Sequence, residues 1–431
     1  MSHPSGAAAT ATAPITSPAA RNAVAVAPSP LPVPQPAAPR RRDTPRELRR
    51  LSTAVTVLSL VFGLLGLTLF ALLAWSMQRA SAATAQTIRV QQIQTNLLRA
   101  DANATNAFLV GGLEPAAQRA AYETAIVDAS RLIAEAAEAE PADQAALAEL
   151  NVELIDYTTN IELARANNRQ GFPIGAQYLR LASSELRADA LPILENLVDA
   201  NAVRASGQMT VIIAVPLVIV QLLLLGGLVW TQVWLARRFR RRFNVGLATA
   251  TGVGLLSLVI TIALLSWAGV SLNGIRDGNF ADVRAASNAR VSANDAKSNE
   301  SLTLIARGSG AAFQEAWQTS ADTVASSIGR FRDLDSVWQP YVDVHTEIRA
   351  LDDGGQWDKA VALAITRSNT TFDSFDTAVA GVVDSSAAAT TGGLGRLLPW
   401  MVAGAVLAAI AGIAMAALGR RGVEQRLKEY R

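Results

Sequence analysis

Few side chains in this sequence could do chemistry. Cysteine is absent, and the two histidines are His3 and His345. That excludes disulfides, thiolate metal sites and cysteine nucleophiles. No phosphate-binding loop, zinc-binding His-Glu helix or dinucleotide fingerprint occurs. His3 lies in a Pro/Ala-rich tail. His345 stands on a helical seam, with Asp343 and Glu347 two residues to either side. Its plainer reading is a neutral core histidine with one hydrogen-bond partner. The other is a ligand- or pH-responsive position, because imidazole titrates near neutrality. The paired carboxylates Asp352-Asp353 and Asp333/Asp335 fall at helix ends, where caps and solvated charges belong. No catalytic, cofactor-binding or metal-binding residue is assigned, and enzyme activity is not expected.

Two other stretches have the composition of a binding surface. Asn167 to Pro173 and Asp352 to Trp357 each combine glycine, polar groups and one aromatic. Aromatic side chains within a polar rim suit a protein contact. Phe172 and Trp357 are the candidate anchors, with Asn168, Asp352 and Asp353 on the rim. The plainer reading is that the two aromatics cap a bundle core.

These residues must be positioned by helices anchored in a membrane. Half of the 431 residues are hydrophobic, and four uncharged runs stand out at 51–78, 205–236, 243–275 and 397–419. Each suffices to cross a bilayer, which takes about 20 apolar residues. Between the second and third runs stands Arg237-Arg238-Phe239-Arg240-Arg241-Arg242, five arginines in six residues. A short basic link between two spans marks the cytoplasmic side. The tail 1–50, this link and the tail 420–431 carry 17 Arg/Lys against 4 Asp/Glu, while the rest of the chain carries 21 against 32. Both termini and the arginine turn are therefore expected inside, and the two large intervening segments outside. The arginines sit at span ends, which suits anionic lipid rather than nucleic acid.

The expected fold is an all-α polytopic membrane protein. It has four transmembrane helices and two extracytoplasmic four-helix bundles in a tandem repeat. The expected boundaries begin with a disordered cytoplasmic tail (1–50), rich in Pro and Ala, and a first span (51–76). Bundle one (77–208), the second span (209–232) and the basic loop (233–244) follow. Then come the third span (245–267), bundle two (268–396), the fourth span (397–419) and the C-terminal tail (420–431). The third helix of bundle one carries the seam Leu147, Leu150, Leu154, Tyr157, Ile161 and Ala164, spaced three and four apart. The fourth carries Leu179, Ala182, Leu186, Ala190, Ile193 and Leu197. It shows no stop before the second span, with bends expected at Pro192 and Pro216. In the second half Trp75 recurs as Trp267, the seam recurs as Phe331, Leu334, Trp338, Tyr341, His345 and Ile348, and Gly171 recurs as Gly355. Ordered matches at nearly constant offsets indicate a duplication. Gly404, Ala408 and Gly412 place small residues every four positions in the last span, favouring close helix packing.

Cytoplasmic output is expected through Arg237, Arg238, Arg240, Arg241 and Arg242, and through the tail, where Val423, Leu427 and Tyr430 share one helical face. An outer four-helix bundle between two spans resembles the sensory module of chemoreceptors and sensor kinases. A tandem pair without a large output domain resembles the actinobacterial GlnX membrane proteins over residues 45–431. The features carrying that resemblance are the tandem architecture, the turn Arg237–Arg242 and the terminal Arg426-Leu427-Lys428-Glu429-Tyr430-Arg431. It implies coupling of an extracytoplasmic solute-binding lipoprotein of aspartate/glutamate type, GlnH, to a cytoplasmic serine/threonine kinase, PknG. That kinase controls nitrogen and central metabolism. Two alternatives stay open: a structural scaffold of the cell envelope, and a sensor that binds small molecules directly. Self-association is also left open. The expected location is the cell membrane, multi-pass. Reporter fusions after Ala139 and after Gly329 should both score as external, and a cytoplasmic signal from either would end this topology.

Overall fold

A computed structural model describes residues 44–110, 114–239 and 244–428 of the chain. Those residues are almost entirely helical, with no strand among them. Four helices are long and apolar enough to cross a membrane. The first helix, α1 (Thr44–Val110), has 67 residues and so runs about 100 Å without a break. Bundle one is completed by α2 (Ala116–Ala139), α3 (Gln144–Arg169), α4 (Ile174–Glu185) and α5 (Leu191–Gln208). Then come α6 (Val215–Phe239) and α7 (Val245–Gly274), which are membrane spans. Bundle two contains α8 (Ala281–Ile305), α9 (Ala311–Ile328), α10 (Arg332–Asp353), α11 (Trp357–Leu363) and the first part of α12 (Asn369–Lys428). The last of these carries on through the membrane as the fourth span.

Three short π-helical segments interrupt the rods, at Leu186–Ala190, Ile275–Phe280 and Ala364–Ser368. Each adds a residue to one turn and shifts the buried face beyond it. This explains a detail of the fourth helix. Leu179, Ala182, Leu186, Ala190 and Leu197 are buried as their spacing predicts, but Leu194 takes the core position expected of Ile193. The third-helix seams are buried in both bundles, from Leu147 to Ala164 and from Leu334 to Ile348. Phe331 packs half-buried at the edge.

The fourth helix of bundle one does not run into its span, contrary to expectation. It stops at Gln208, and Met209–Val211 are not helical. A single 3-10 turn, Ile212–Ala214, then leads into α6. Pro216 lies in the first turn of α6, where its missing N–H costs nothing. Pro399, its counterpart, lies inside α12, and that helix carries on through it.

The distal turns after α3 and α10 are built identically. Gly171 and Gly355 both have φ of 72°, a conformation that glycine adopts without strain. Gly171 N–H donates to Asn168 O and Phe172 N–H to Asn167 O. Gly355 N–H donates to Asp352 O and Gln356 N–H to Leu351 O. Every residue in the second set lies 184 after its counterpart, so this helix stop was duplicated intact.

Inside the membrane the first and last helices touch through glycine. A Cβ on Gly63 would lie 2.7 Å from Gly412 Cα, Gly66 faces Ala408, and Gly404 faces the Phe70 ring. The stripe Gly404, Ala408, Gly412 therefore seats α12 on α1. Gly246 and Gly422 repeat the contact between α7 and α12. Asn244 starts α7 and donates to Gly422 O at 2.9 Å. Gly412→Val should force the two helices apart, costing about 1–3 kcal/mol. Thermal unfolding in detergent should show the loss, and Gly252→Ala, with nothing within 4 Å of the new Cβ, should unfold like the parent.

Candidate functional site

The two bundles meet along a polar seam between α1 and α8. On α1, Asp101 is fully buried. It accepts hydrogen bonds from Ser183 Oγ (2.6 Å), Arg187 Nη1 (3.0 Å) and Tyr157 OH (3.4 Å) within its own bundle. It also accepts one from Ser298 Oγ (2.5 Å) on α8 of the other bundle. Arg187 stands in the π segment after α4 and reaches across, with Nε 2.9 Å and Nη2 2.8 Å from Asp295 on α8. Asp295 in turn accepts from Ser320 and Asn299. Two residues earlier on α1, Arg99 reaches Asp376 on α12 at 2.5 Å, and Arg290 of α8 braces the same carboxylate at 2.8 Å. Burial would raise the Asp376 pKa, but the Arg290 and Arg99 guanidiniums hold it below the usual carboxylate range.

A second charged cluster lies inside bundle two. Glu300 and Lys297 are both buried and pair at 2.7 Å. Ser368 Oγ donates to Glu300 Oε1 at 2.7 Å, and Lys297 Nζ reaches both Ser368 Oγ and Ala364 O in the adjoining π segment. His345 completes the cluster. Its Nδ1 is 3.0 Å from Glu300 Oε2 and its Nε2 is 3.1 Å from Gln314 Oε1. The ring stacks on Trp317 at 3.5 Å. Both ring nitrogens face oxygen acceptors, which an imidazolium would fill as a double donor. Burial opposes that charge and holds the His345 pKa below its ordinary value, although Glu300 pulls the other way. Burial would raise the Glu300 pKa too, but Lys297 and His345 bring it down to about 2.

At the opposite end of bundle one, Asp143 is buried below the α2–α3 turn. It accepts from Gln86 (3.0 Å), Asn201 (2.7 Å) and Arg204 (2.7 Å). Those donors outweigh burial and lower its pKa.

The distal residues are not equivalent. Phe172 is 52% exposed, beside the equally exposed Ile174. Asn168 is half-buried. It lines a cavity of about 200 Å3 together with apolar residues such as Phe108, Ile161 and Leu179 and the charged Glu114, Arg119, Arg165 and Arg169, of which Arg165 is buried and paired with Glu114. Trp357 is half-buried, donates from Nε1 to Leu304 O at 2.9 Å, and carries the Arg307 guanidinium 4.0 Å over its ring. It thus pins α11 to the end of α8. Asp352 and Asp353 both pair with Arg349, at 2.7 and 2.5 Å. Asp353 is exposed and Asp352 half-buried. Of the cytoplasmic candidates, Arg237 is exposed at the end of α6. Arg238 and Leu427 stand in helices, but their side chains lie outside the described residues, as do Arg240, Arg241, Arg242 and Tyr430. Among the described residues no group of His, Asp and Glu is disposed to hold a metal ion.

The sequence reading singled out His345 but none of its partners, and it missed the seam altogether. Asp101, Arg187, Asp295 and Asp376 look like ordinary helical surface charges. A sequence signal existed only in hindsight: α8 is rich in polar residues from Ser292 to Thr303, yet nearly every residue from Ala293 to Leu304 is buried. Such a helix must have polar neighbours.

Fold and seam define an all-α polytopic membrane protein with two packed helical bundles. Residues 76–210, which span bundle one, match the family model described as an actinobacterial sensor domain. That match is consistent with an actinobacterial sensor membrane protein. No curated protein matches the chain significantly, and no solved structure does.

Two consequences can be measured. Removing one member of a buried pair strands the other charge, at about 3–5 kcal/mol. Arg187→Ala should therefore lower the thermal stability of both bundles, whereas Arg131→Ala, in an exposed i,i+4 pair, should change it by at most about 1 kcal/mol. The pH dependence has a definite sign. The Glu300 carboxyl titrates lower when folded, about 2, than its ordinary 4.5. Its contribution is complete above pH 4.5 and is lost as pH falls toward 2. His345, held neutral by burial, adds stability above its ordinary 6.5 that is lost on acidification below it. Glu300→Gln should flatten the acid limb of a stability-versus-pH curve, and an unchanged limb would contradict the assignment.

Proposed function

We propose that this protein is a transmembrane signal transducer of the cell membrane, with both bundles extracytoplasmic and both termini cytoplasmic. In this reading a solute-binding lipoprotein of aspartate/glutamate type docks on the distal ends of the bundles. The resulting helix movement reaches a cytoplasmic serine/threonine kinase that controls nitrogen and central metabolism. The observation that carries the reading is mechanical: α1 and α12 are unbroken from the bundles to the far side of the membrane, and α7 joins α8 through a π segment without a loop. A displacement between the bundles therefore has stiff routes to the arginine turn and the C-terminal tail. The sensor-domain match over 76–210 supports it, as does the placement of Phe172 at an exposed tip.

The clean docking probe is Phe172→Ala, because Trp357 also holds the fold of its tip. An anchor truncated to alanine costs at least about 2 kcal/mol, some 30-fold in affinity. Pulldown of the binding protein with and without amino acids should therefore be ligand-dependent, and the Phe172→Ala protein should lose it. On the inner side, Leu427→Ser with Tyr430→Ser keeps every charge and should abolish kinase recruitment. Ligand-independent capture that ignores Phe172, together with full recruitment by the double variant, would leave only the scaffold.

A further inference from the structure

The cavity of about 200 Å3 at the distal end of bundle one is walled by α1, α2, α3 and α4. Its apolar wall continues the bundle core: Ala104 and Phe108 come from α1, Ile161 and Ala164 from α3, and Leu179 from α4. The space has room for about seven waters at about 30 Å3 each, the size of a small organic molecule.

The duplicated bundle shows what else can stand in this place. Ala164, Arg165, Asn168 and Arg169 each lie 184 positions before Ile348, Arg349, Asp352 and Asp353. In bundle two Ile348 is buried in an apolar cluster with Leu304 and Val344, and Trp357 packs against that cluster. Arg349 receives both Asp352 and Asp353, at 2.7 and 2.5 Å. Bundle two therefore fills this end with a branched aliphatic side chain and supplies two carboxylates of its own. Bundle one has alanine at the first position, and a carboxamide and a cation at the other two. Relative to its duplicate, it lacks a branched apolar group and a carboxylate.

The polar side chains lining the cavity differ in what they have left to give. Arg165 is held by Glu114 at 3.0 Å and Glu162 at 2.7 Å, above the Tyr122 ring. Arg119 is paired with Glu123 at 2.8 Å. Arg169 is exposed, and its guanidinium has no ion pair or hydrogen bond among the described residues. The Asn168 carboxamide is likewise unpaired there, and it is open to solvent rather than sealed in the core. Residues three and four apart share a helix face, so Asn168 and Arg169 stand side by side one turn beyond Arg165. Two unspent and reachable donors thus border an apolar hollow.

We propose that this cavity binds a small branched aliphatic carboxylate. Its carboxylate is taken by the Arg169 guanidinium and the Asn168 amide, and its apolar body lies on Phe108, Ile161 and Leu179 beside Ala164. A guanidinium presents paired N–H donors that match a carboxylate. A mostly apolar hollow with a few polar groups is the ordinary form of a small-molecule site. The occupant brings to bundle one the two groups that bundle two carries in its own chain. It also touches α1, which runs unbroken into the membrane.

The site needs no partner protein, so binding is measured on the purified full chain in lipid nanodiscs by titration calorimetry. The probes are isovalerate and L-leucine. Isoamyl alcohol keeps the branched body without the carboxylate, and acetate keeps the carboxylate without the body. At least one probe should bind saturably, and both controls should bind at least about tenfold more weakly. Binding of isovalerate assigns the carboxylate and body alone, whereas binding confined to L-leucine assigns an amino acid whose ammonium adds to the contact. Arg169→Gln removes an exposed, unpaired cation and should weaken Kd at least about tenfold. Ala164→Ile places the duplicate's side chain in the cavity and should abolish binding. Melting curves confirm that each variant folds, and if Ala164→Ile does not, Arg169→Gln decides alone. No saturable binding by either probe, a control binding as tightly, or parental affinity in a folded variant overturns the site. Those results would leave docking of a binding protein at the tips unaffected, just as failed docking would leave this cavity standing.

Discussion

The structure depends on how α8 is buried. From Ala293 to Leu304 it has almost no exposed surface, because its own bundle covers one side and α1 covers the other. A polar helix can be buried only if each polar side chain finds a partner. Asp101, Arg187, Asp295 and Ser298 satisfy one another across the seam, while Lys297, Glu300, His345 and Ser368 do so inside bundle two. The two networks occupy neighbouring turns of the same helix. Movement of α8 against α1 therefore disturbs both at once, and neither can relax into water.

The seam also specifies which bundle pairs with which. In one contact the first helix of bundle one supplies a cation, Arg99, to the fourth helix of bundle two, Asp376. In the reciprocal contact the first helix of bundle two supplies an anion, Asp295, to the fourth helix of bundle one, Arg187. The pairs use the same elements with the charges exchanged.

The connections to the membrane are unequal in the same spirit. Bundle two passes into its span through α12 without a break, whereas bundle one passes through the interruption at Met209–Val211. Glycine contacts at Gly63 and Gly412 lock α1 to α12 within the bilayer, where apolar side chains gain nothing by leaving lipid and close backbone packing has to hold helices together. The stiff pair α1 and α12 thus joins the first span to the last, whereas α5 and α6 are separate helices joined through the buried Met209 and Ala214.

Much of this was legible in the residues themselves. Four uncharged runs, two leucine seams and a glycine that recurs 184 positions later are local patterns, and each is dictated by a local requirement. A bilayer tolerates no charge, a bundle needs a stripe every three to four residues, and a tight helix stop needs φ above zero. These determined the all-α architecture, the repeat and the third-helix cores. The π segments were not legible, because one inserted residue leaves the periodicity nearly intact while moving the core from Ile193 to Leu194. Nor was the break before α6, where Pro216 reads equally as a kink or as a first-turn residue. The seam was hidden for a deeper reason. Asp101 and Arg187 are 86 residues apart, and Asp101 and Ser298 are 197 apart. A charged residue on a helix looks solvated until another helix is laid over it. Only the packing of bundle on bundle removed the water and turned ordinary surface charges into the polar core that holds the two halves together.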